Sequence, residues 1–279
     1  MNNWLIMQSM NNLIEKIHEA VKDMYSQVSF DEEEHKYTRK SDGKWLAGIS
    51  SVSDILPKPY LIAWSAKMVT EFLQDKQDKI KELSNENYLL LLDEAKNTHR
   101  KKSKDALGLG SKGHEFLEKY ILAKIRNIEL PKLENKELER PIQEFIKWEE
   151  ENIKQWILSE ARICDIEEEI AGTLDALAIL KDNKLAIIDF KFANQISQSY
   201  HLQTAGYSIP FEKYGIQIDD RIVIRLPKTL KKKVYNKQTR KYEEIDNNIE
   251  IRRSPFSIEF DKQNFRYARA LYKYINASE

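Results

Sequence analysis

Leu185-Ala186-Ile187-Ile188-Asp189-Phe190-Lys191 is an apolar run that ends in a carboxylate and an ammonium two positions apart. It reads as a strand of a buried sheet, and pleating sets Asp189 and Lys191 on one face of it. The two head groups therefore point into one space. A second run precedes it, Gly172-Thr173-Leu174-Asp175 leading into Ala176 to Leu180, and Lys181-Asp182-Asn183-Lys184 joins the two as a hairpin. Asn183 tolerates the left-handed conformation that a short turn needs. A two-residue loop would pair Ala176 with Asp189 and send the two carboxylates to opposite faces. A three-residue loop would set Asp175 opposite Asp189. Shared chemistry thus predicts an odd-length loop, or a bulge with the same effect.

Two carboxylates held that close repel each other unless a cation lies between them, and hard oxygen ligands suit Mg²⁺ or Mn²⁺ better than zinc. Such an ion would polarise a phosphoryl oxygen and lower the pKa of a bound water. Lys191 on the same face can orient or deprotonate that water and neutralise charge on phosphate. Taken alone, the triplet reads more simply as a strand end with Lys191 as counter-ion.

The flanking segments make the pattern specific. Upstream stands Gly110-Ser111-Lys112-Gly113-His114-Glu115-Phe116-Leu117-Glu118, and downstream stands Gln203-Thr204-Ala205-Gly206-Tyr207. In order, the chain resembles the RecB-like branch of the PD-(D/E)XK nuclease superfamily: a G-T-x-x-H-like helix start, G-x-x-D, D-x-K and Q-x-x-x-Y. The resemblance covers roughly residues 106 to 226. It is similar in particular to the stand-alone exonucleases of mitochondrial genome maintenance and of phages, whose N-terminal segment resembles Ile49 to Leu56 followed by Trp64.

The resemblance implies that Asp175, Asp189 and His114 are metal ligands with the Phe190 carbonyl, and that Lys191 is the catalytic lysine. Gln203 and Tyr207, one helical turn apart, would face the site and the DNA strand. Glu160 matches a glutamate where the first core strand begins. Glu118, one turn after His114, would hold a second metal or steady the imidazole through water. Ser111, standing for the usual threonine, and Lys112 complete the supporting set. Phe192 stands where a threonine or serine often follows the lysine.

The implied fold is α/β, a restriction-endonuclease-like core with a central mixed sheet flanked by helices and an N-terminal helical cap. The implied activity is a Mg²⁺-dependent deoxyribonuclease, an exonuclease on single-stranded or frayed DNA ends in repair, recombination or phage DNA processing. The alternatives are a structure-selective or restriction-like endonuclease, since one fold hosts both, and a DNA-binding protein with a vestigial site. Retention of Asp175, Asp189 and Lys191 together argues against the last, because binding alone does not call for carboxylates beside phosphate.

Composition bounds these readings. With 32% charged residues and no apolar run approaching the length of a membrane helix, the chain of 279 residues reads as a soluble enzyme. Met1 to Met10 lacks the pattern of a secretory or transit segment, so a cytoplasmic location is expected. Cys164 is the single cysteine, which excludes an intramolecular disulfide and the four-cysteine iron-sulfur cluster of some RecB-like nucleases. There is no phosphate-loop motif of a fused helicase motor. Formal net charge is zero, with 45 basic and 45 acidic residues, so DNA contact must be local. Two basic runs offer it, Lys228, Lys231, Lys232, Lys233, Lys237, Arg240 and Lys241, and Arg100-Lys101-Lys102 with Lys104. Either is equally a solvated face.

The periodicities predict a helix over 11–26 and a hairpin of Val28 to Tyr37 with Lys44 to Ile49, turning at Ser41-Asp42-Gly43. A break at Pro57 and Pro59 precedes a helix from near Tyr60, and a charge-rich helical cap follows to Lys104. Next come helices 111–127 and 138–153, strands 155–164, 169–180 and 184–192, helix 198–214, and strand 220–226 closing the sheet. A basic hairpin over 228–250, a strand from Ser257 to Phe260 and a helix over 261–276 complete the chain. Two regions are expected: 1–105, hairpin and cap, and 106–279, the nuclease core.

Overall fold

The computed structural model describes residues 3–277; Met1, Asn2, Ser278 and Glu279, the outermost residues of the two expected regions, lie outside it. The protein is α/β, with a central mixed sheet flanked by helices. Strand β5 (Ile170–Leu180) organises the sheet. Along one edge β4 (Ile153–Asp165) pairs with it antiparallel over its whole length. The other edge is shared. There β3 (Trp45–Gly48) pairs parallel with the start of β5, through Ala47↔Ile170 and Gly48↔Ala171. Further on, β6 (Leu185–Phe192) pairs antiparallel with its end, from Ala176↔Ile188 to Ile179↔Leu185. Gly172 to Asp175 thus lie in a fork between two departing neighbours.

Beyond β6 the order continues through β7 (Asp220–Leu226), parallel to β6, to β10 (Glu250–Arg253), antiparallel to β7. On the β3 side, β2 (Lys36–Arg39) and β1 (Val28–Asp31) extend the sheet. A separate two-stranded ribbon pairs β8 (Lys231–Asn236) with β9 (Lys241–Asp246). The central strands are buried almost residue by residue: Leu185 to Phe190 are all buried, as a strand covered on both faces requires. Each fully buried Leu or Ile there contributes about 1.5–3 kcal/mol of transfer free energy.

The β5-to-β6 connection has the odd length that the register argument demands. Leu180 N–H donates to the Lys184 carbonyl at 2.9 Å, leaving Lys181-Asp182-Asn183 as a three-residue loop, and Asn183 takes φ +65°. The pairing Ala176↔Ile188, carried one step further, sets Asp175 opposite Asp189.

Eight helices surround these strands among the described residues: α1 (Asn3–Gln27), α2 (Ile49–Ser53), α3 (Tyr60–Asp75), α4 (Gln77–Ile80), α5 (Asn85–Arg126), α6 (Lys136–Asn152), α7 (Gln198–Glu212) and α8 (Ile258–Ile275). None is long and apolar enough to cross a membrane. Helix α7 is interior: from Ser199 to Phe211 every residue except Tyr200 is buried. Its hydroxyls are satisfied within the helix, Thr204 Oγ1 donating to the His201 carbonyl at 2.8 Å and Ser208 Oγ to the Ala205 carbonyl at 2.6 Å. A buried ion pair, Arg221 Nη2 to Asp261 Oδ2 at 2.7 Å, ties α8 to β7.

Gly206 lets α7 sit that deep. A Cβ there would stand 2.5 Å from Phe265 Cε2 and 2.8 Å from Ile49 Cγ2, and both of those residues are fully buried. Gly206→Ala is therefore expected to destabilise the fold by about 1–3 kcal/mol through overpacking. Urea unfolding would show a lower midpoint at unchanged slope; an unaltered midpoint would mean that the packing yields freely.

Several boundaries differ from the sequence reading. The expected strand Val28 to Tyr37 is itself a hairpin, β1 and β2, turning through His35 at φ +52°, and Ile49 begins α2 rather than ending a strand. Helix α1 starts at Asn3, not near residue 11. No helix begins at 111, because α5 runs unbroken from Asn85 through three glycines. Each glycine weakens a helix by about 1 kcal/mol without stopping it. Ser257 to Phe260 is not a strand: Ser257 caps α8, its Oγ accepting from Phe260 N–H at 3.3 Å, with Glu259 and Asp261 in the first turn. β7 does not close the sheet, since β10 lies outside it.

The chain divides into two compact units, residues 1–56 with 114–279, and residues 57–113. The expected division was placed at residue 105, and the two compact units part elsewhere. Strands β1 to β3 join the core through the pairing of β3 with β5, and the boundary on α5 falls after Gly113.

Candidate functional site

The fork in β5 collects the acidic residues. Glu160 on β4 lies between the pairs Ser159↔Ala176 and Ala161↔Leu174, which sets it opposite Asp175. Glu160, Asp175 and Asp189 thus form a row across three adjacent strands. His114 approaches from α5, its Nδ1 3.9 Å from Asp175 Oδ2. Among the described residues, the one set of three metal-type ligands whose donor atoms all lie within 4.8 Å of one another is His114, Glu160 and Asp175.

The expected ligand set held Asp189, with Glu160 only supporting; the geometry brings Glu160 in beside His114 and Asp175. Nor does Glu160 open its strand, as expected; it lies inside β4. Its φ is +46°. The other non-glycine residues with positive φ sit in turns or just past a helix end, so Glu160 is the one left-handed residue inside a strand among those described. That conformation costs a non-glycine residue about 1–2 kcal/mol, and here it accompanies a side chain that joins the acidic row.

Asp189 is fully buried. Its Oδ1 accepts from Lys191 Nζ at 2.7 Å, and its Oδ2 has no hydrogen-bond partner. Burial pushes its carboxyl up to about 6 against the pull of Lys191, and Asp175 pushes the same way. Asp175 is also raised by burial, against Lys191 and the Phe190 N–H, which donates to its Oδ2 at 2.7 Å. Glu160 is pushed up to about 8 by burial, then by Asp175 and Glu118. Burial alone would lower the Lys191 ammonium, but Asp189 and Asp175 outweigh it and hold the pKa above its ordinary value. Burial and then Lys191 depress His114 to about 4, so at neutral pH the imidazole is uncharged and able to ligate a metal.

The surroundings hold this geometry. The His114 ring meets Phe192 edge-on, centroids 5.4 Å apart, so Phe192 braces the histidine. Gly172 leaves room for Tyr207: a Cβ there would come within 2.9 Å of the Tyr207 ring. Tyr207 is buried and its hydroxyl accepts from Gln203 Nε2 at 2.7 Å. Both line a cavity with Glu118 and Glu160. Phe190 sends its N–H toward Asp175, and in an extended strand the carbonyl of a residue leaves by the same edge.

Ser111 and Lys112 are exposed on the stretch of α5 that belongs to residues 57–113, as are Arg100, Lys101 and Lys104. Lys228 lies near enough to His114 to press its pKa further down. The remaining residues of that basic run stand on the β8–β9 ribbon and the turn that joins its strands.

Compared with known proteins, the chain matches no protein-family model and no curated sequence.

Proposed function

We propose that the protein is a metal-dependent nuclease of the PD-(D/E)XK type that hydrolyses phosphodiester bonds of DNA. The observation that carries the reading is the row Glu160, Asp175, Asp189 with Lys191 inside it and an unpartnered, fully buried oxygen on Asp189. A buried carboxylate oxygen without a partner is costly unless something else is meant to meet it. Carboxylate and carbonyl oxygens with one neutral imidazole fit Mn²⁺ or Mg²⁺. His114, Glu160 and Asp175, with Asp189 and the Phe190 carbonyl, are the groups that would hold such an ion. Once bound, the cation would supply Lewis acidity to a phosphoryl oxygen and a water.

Lys191 then acts as a fixed positive charge. Before any cation arrives, Asp189 and Asp175 hold its pKa above the ordinary value, so it stands protonated and placed to donate to phosphate or water. Glu160 is the carboxyl on which a proton rests at neutral pH before any cation arrives. Lys228 offers a further charge to the DNA backbone beside His114. Action on single-stranded or frayed ends, as an exonuclease in repair, recombination or phage DNA processing, follows from the family resemblance.

The test is digestion of end-labelled single-stranded, duplex and closed circular DNA with Mg²⁺, Mn²⁺ or EDTA. We expect metal-dependent shortening from an end, and Lys191→Ala to keep DNA binding while losing cleavage. Cutting of closed circles would replace the exonuclease by an endonuclease. Binding without cutting under every metal would leave the vestigial site as the correct reading.

A further inference from the structure

We propose that the cavity beside the acidic row is a stacking pocket for one unpaired nucleobase, formed by Phe30, His35, Tyr37 and Arg162. The inference rests on the nuclease reading and deepens it, because it names the residues that would select single-stranded DNA. The cavity measures about 550 Å³, within the roughly 300–1,000 Å³ of small-ligand sites. One wall is the site itself, Glu118, Glu160, Gln203 and Tyr207. A second part of the lining is the β1–β2 hairpin wall, Phe30, His35 and Tyr37, with Arg162 of β4.

That second wall has the shape of a stacking platform. The Phe30 and His35 rings lie 5.7 Å apart and only 14° from parallel, and Phe30 and Tyr37 lie 4.5 Å apart at 30°. The Arg162 guanidinium stands 5.1 Å from the Phe30 ring centre. Flat rings backed by a guanidinium are what a base face stacks on, whatever its sequence. The stack runs from a buried end to an open one: Tyr37 is buried, Phe30 in the middle is half-buried, and His35 at the outer end is exposed. His35 reaches Phe30 from a left-handed turn position, at φ +52°, within a turn otherwise made of glutamates.

Its distance from the proposed chemistry fits a nucleotide. Tyr37 hydroxyl and Thr173 Oγ1 are 2.9 Å apart, which fixes the hairpin to β5 two residues before Asp175. Two residues along a strand span about 7 Å, close to the reach of one nucleotide unit. A phosphate at the acidic row would thus place a neighbouring base in this cavity, against the exposed His35 end of the stack and Arg162. A base still paired and stacked in a duplex cannot enter. Arg162, half-buried and 3.6 Å from the exposed Glu32 carboxylate, brings the positive charge to a cavity also lined by Glu118 and Glu160.

The experiment is an abasic scan. A series of short, labelled single-stranded oligonucleotides, each lacking one base, is titrated against the full chain by fluorescence anisotropy, in EDTA and again in Ca²⁺. We expect one position at which loss of the base weakens binding roughly tenfold, and a blunt duplex to bind as weakly as that oligonucleotide. Phe30→Leu, which keeps apolar volume without the ring, and Arg162→Met should remove the dependence at that position alone. Melting curves check that both variants fold, and Arg162→Met carries the test if Phe30→Leu does not. Affinity blind to every abasic position, or a dependence that survives both substitutions, overturns the proposal. The nuclease reading is judged separately: a chain with the positional dependence that cuts nothing in Mg²⁺ or Mn²⁺ keeps the pocket and loses the nuclease. One that cuts but ignores every missing base loses the pocket alone.

Discussion

Asp189→Asn is expected to lower metal-dependent cleavage on the order of 10³-fold and yet leave the metal-free protein at least as stable as wild type. The two halves share one cause. Without a cation, Asp189 is a fully buried carboxylate with one oxygen paired to Lys191 and the other to nothing. An unsatisfied buried polar group costs about 1–3 kcal/mol, more when charged. Asparagine has the same shape, keeps an oxygen for Lys191 and removes the charge that burial and Asp175 oppose. Lys191 is not orphaned, because Asp175 also acts on it.

The competing view, that Asp189 and Lys191 form a purely structural ion pair, predicts the reverse. Removing one member of such a pair costs about 3–5 kcal/mol. Thermal melts with and without MnCl₂ separate the two. Binding to the folded state alone at a hundred times Kd contributes about 2.7 kcal/mol, so wild type should melt several degrees higher with the ion and the variant should lose most of that gain. A variant that melts far below wild type in EDTA, beside a wild type indifferent to Mn²⁺, would establish the structural pair.

Much of this arrangement was legible in the sequence because short-range rules fix it. The pleat puts Asp189 and Lys191 on one face, and the parity of one hairpin loop decides whether Asp175 joins them; Lys181-Asp182-Asn183 supplies that parity, with Asn183 at the left-handed position. The mis-read parts are those that local pattern leaves open. Glycines at 108, 110 and 113 mark a helix start as readily as they interrupt a long helix, and only tertiary context chose the second. Val28 to Tyr37 reads as one strand until the turn at His35 is known.

Ser257 carried its own signal, a cap followed by two acids, which alternation of apolar residues concealed. The place of Glu160 could have been found by counting outward from the turn at Ile166 to Glu169: Asp165 pairs Ile170, and five residues back meets five residues on. Its left-handed backbone could not, since nothing in a one-letter code marks a glutamate that must leave the strand conformation.

Glu160 is also where the acidic row should be most sensitive to pH. Its carboxyl is pushed up to about 8 from an ordinary 4.5. Between those values the folded chain holds a proton that the unfolded chain has released, so the stability linked to it is complete below the unfolded value and is lost as pH rises through 8. His114 works the other way. Depressed to about 4 from 6.5, it withdraws stability as pH falls below 6.5, and Asp189, at about 6, titrates mainly below that point too. The window from pH 6.5 to 8 therefore belongs to Glu160 together with Asp175 opposite it, which burial also raises.

In EDTA the melting temperature should rise on acidification across that window, with a limiting slope of about 1.4 kcal/mol per pH unit for one proton. Glu160→Gln should flatten the slope, and so should saturating Mn²⁺, since coordination displaces the proton. Glu160→Gly should flatten it as well and in addition release the left-handed strain, melting above Glu160→Gln by the equivalent of about 1 kcal/mol. Both variants should lose cleavage, by about 10²-fold or more. Gain of stability together with loss of function at one position is what a residue held in strain for its chemistry must show. A slope that persists in Glu160→Gln would mean that another buried group carries the proton, and a glycine variant less stable than the glutamine one would mean that the backbone at 160 is not strained.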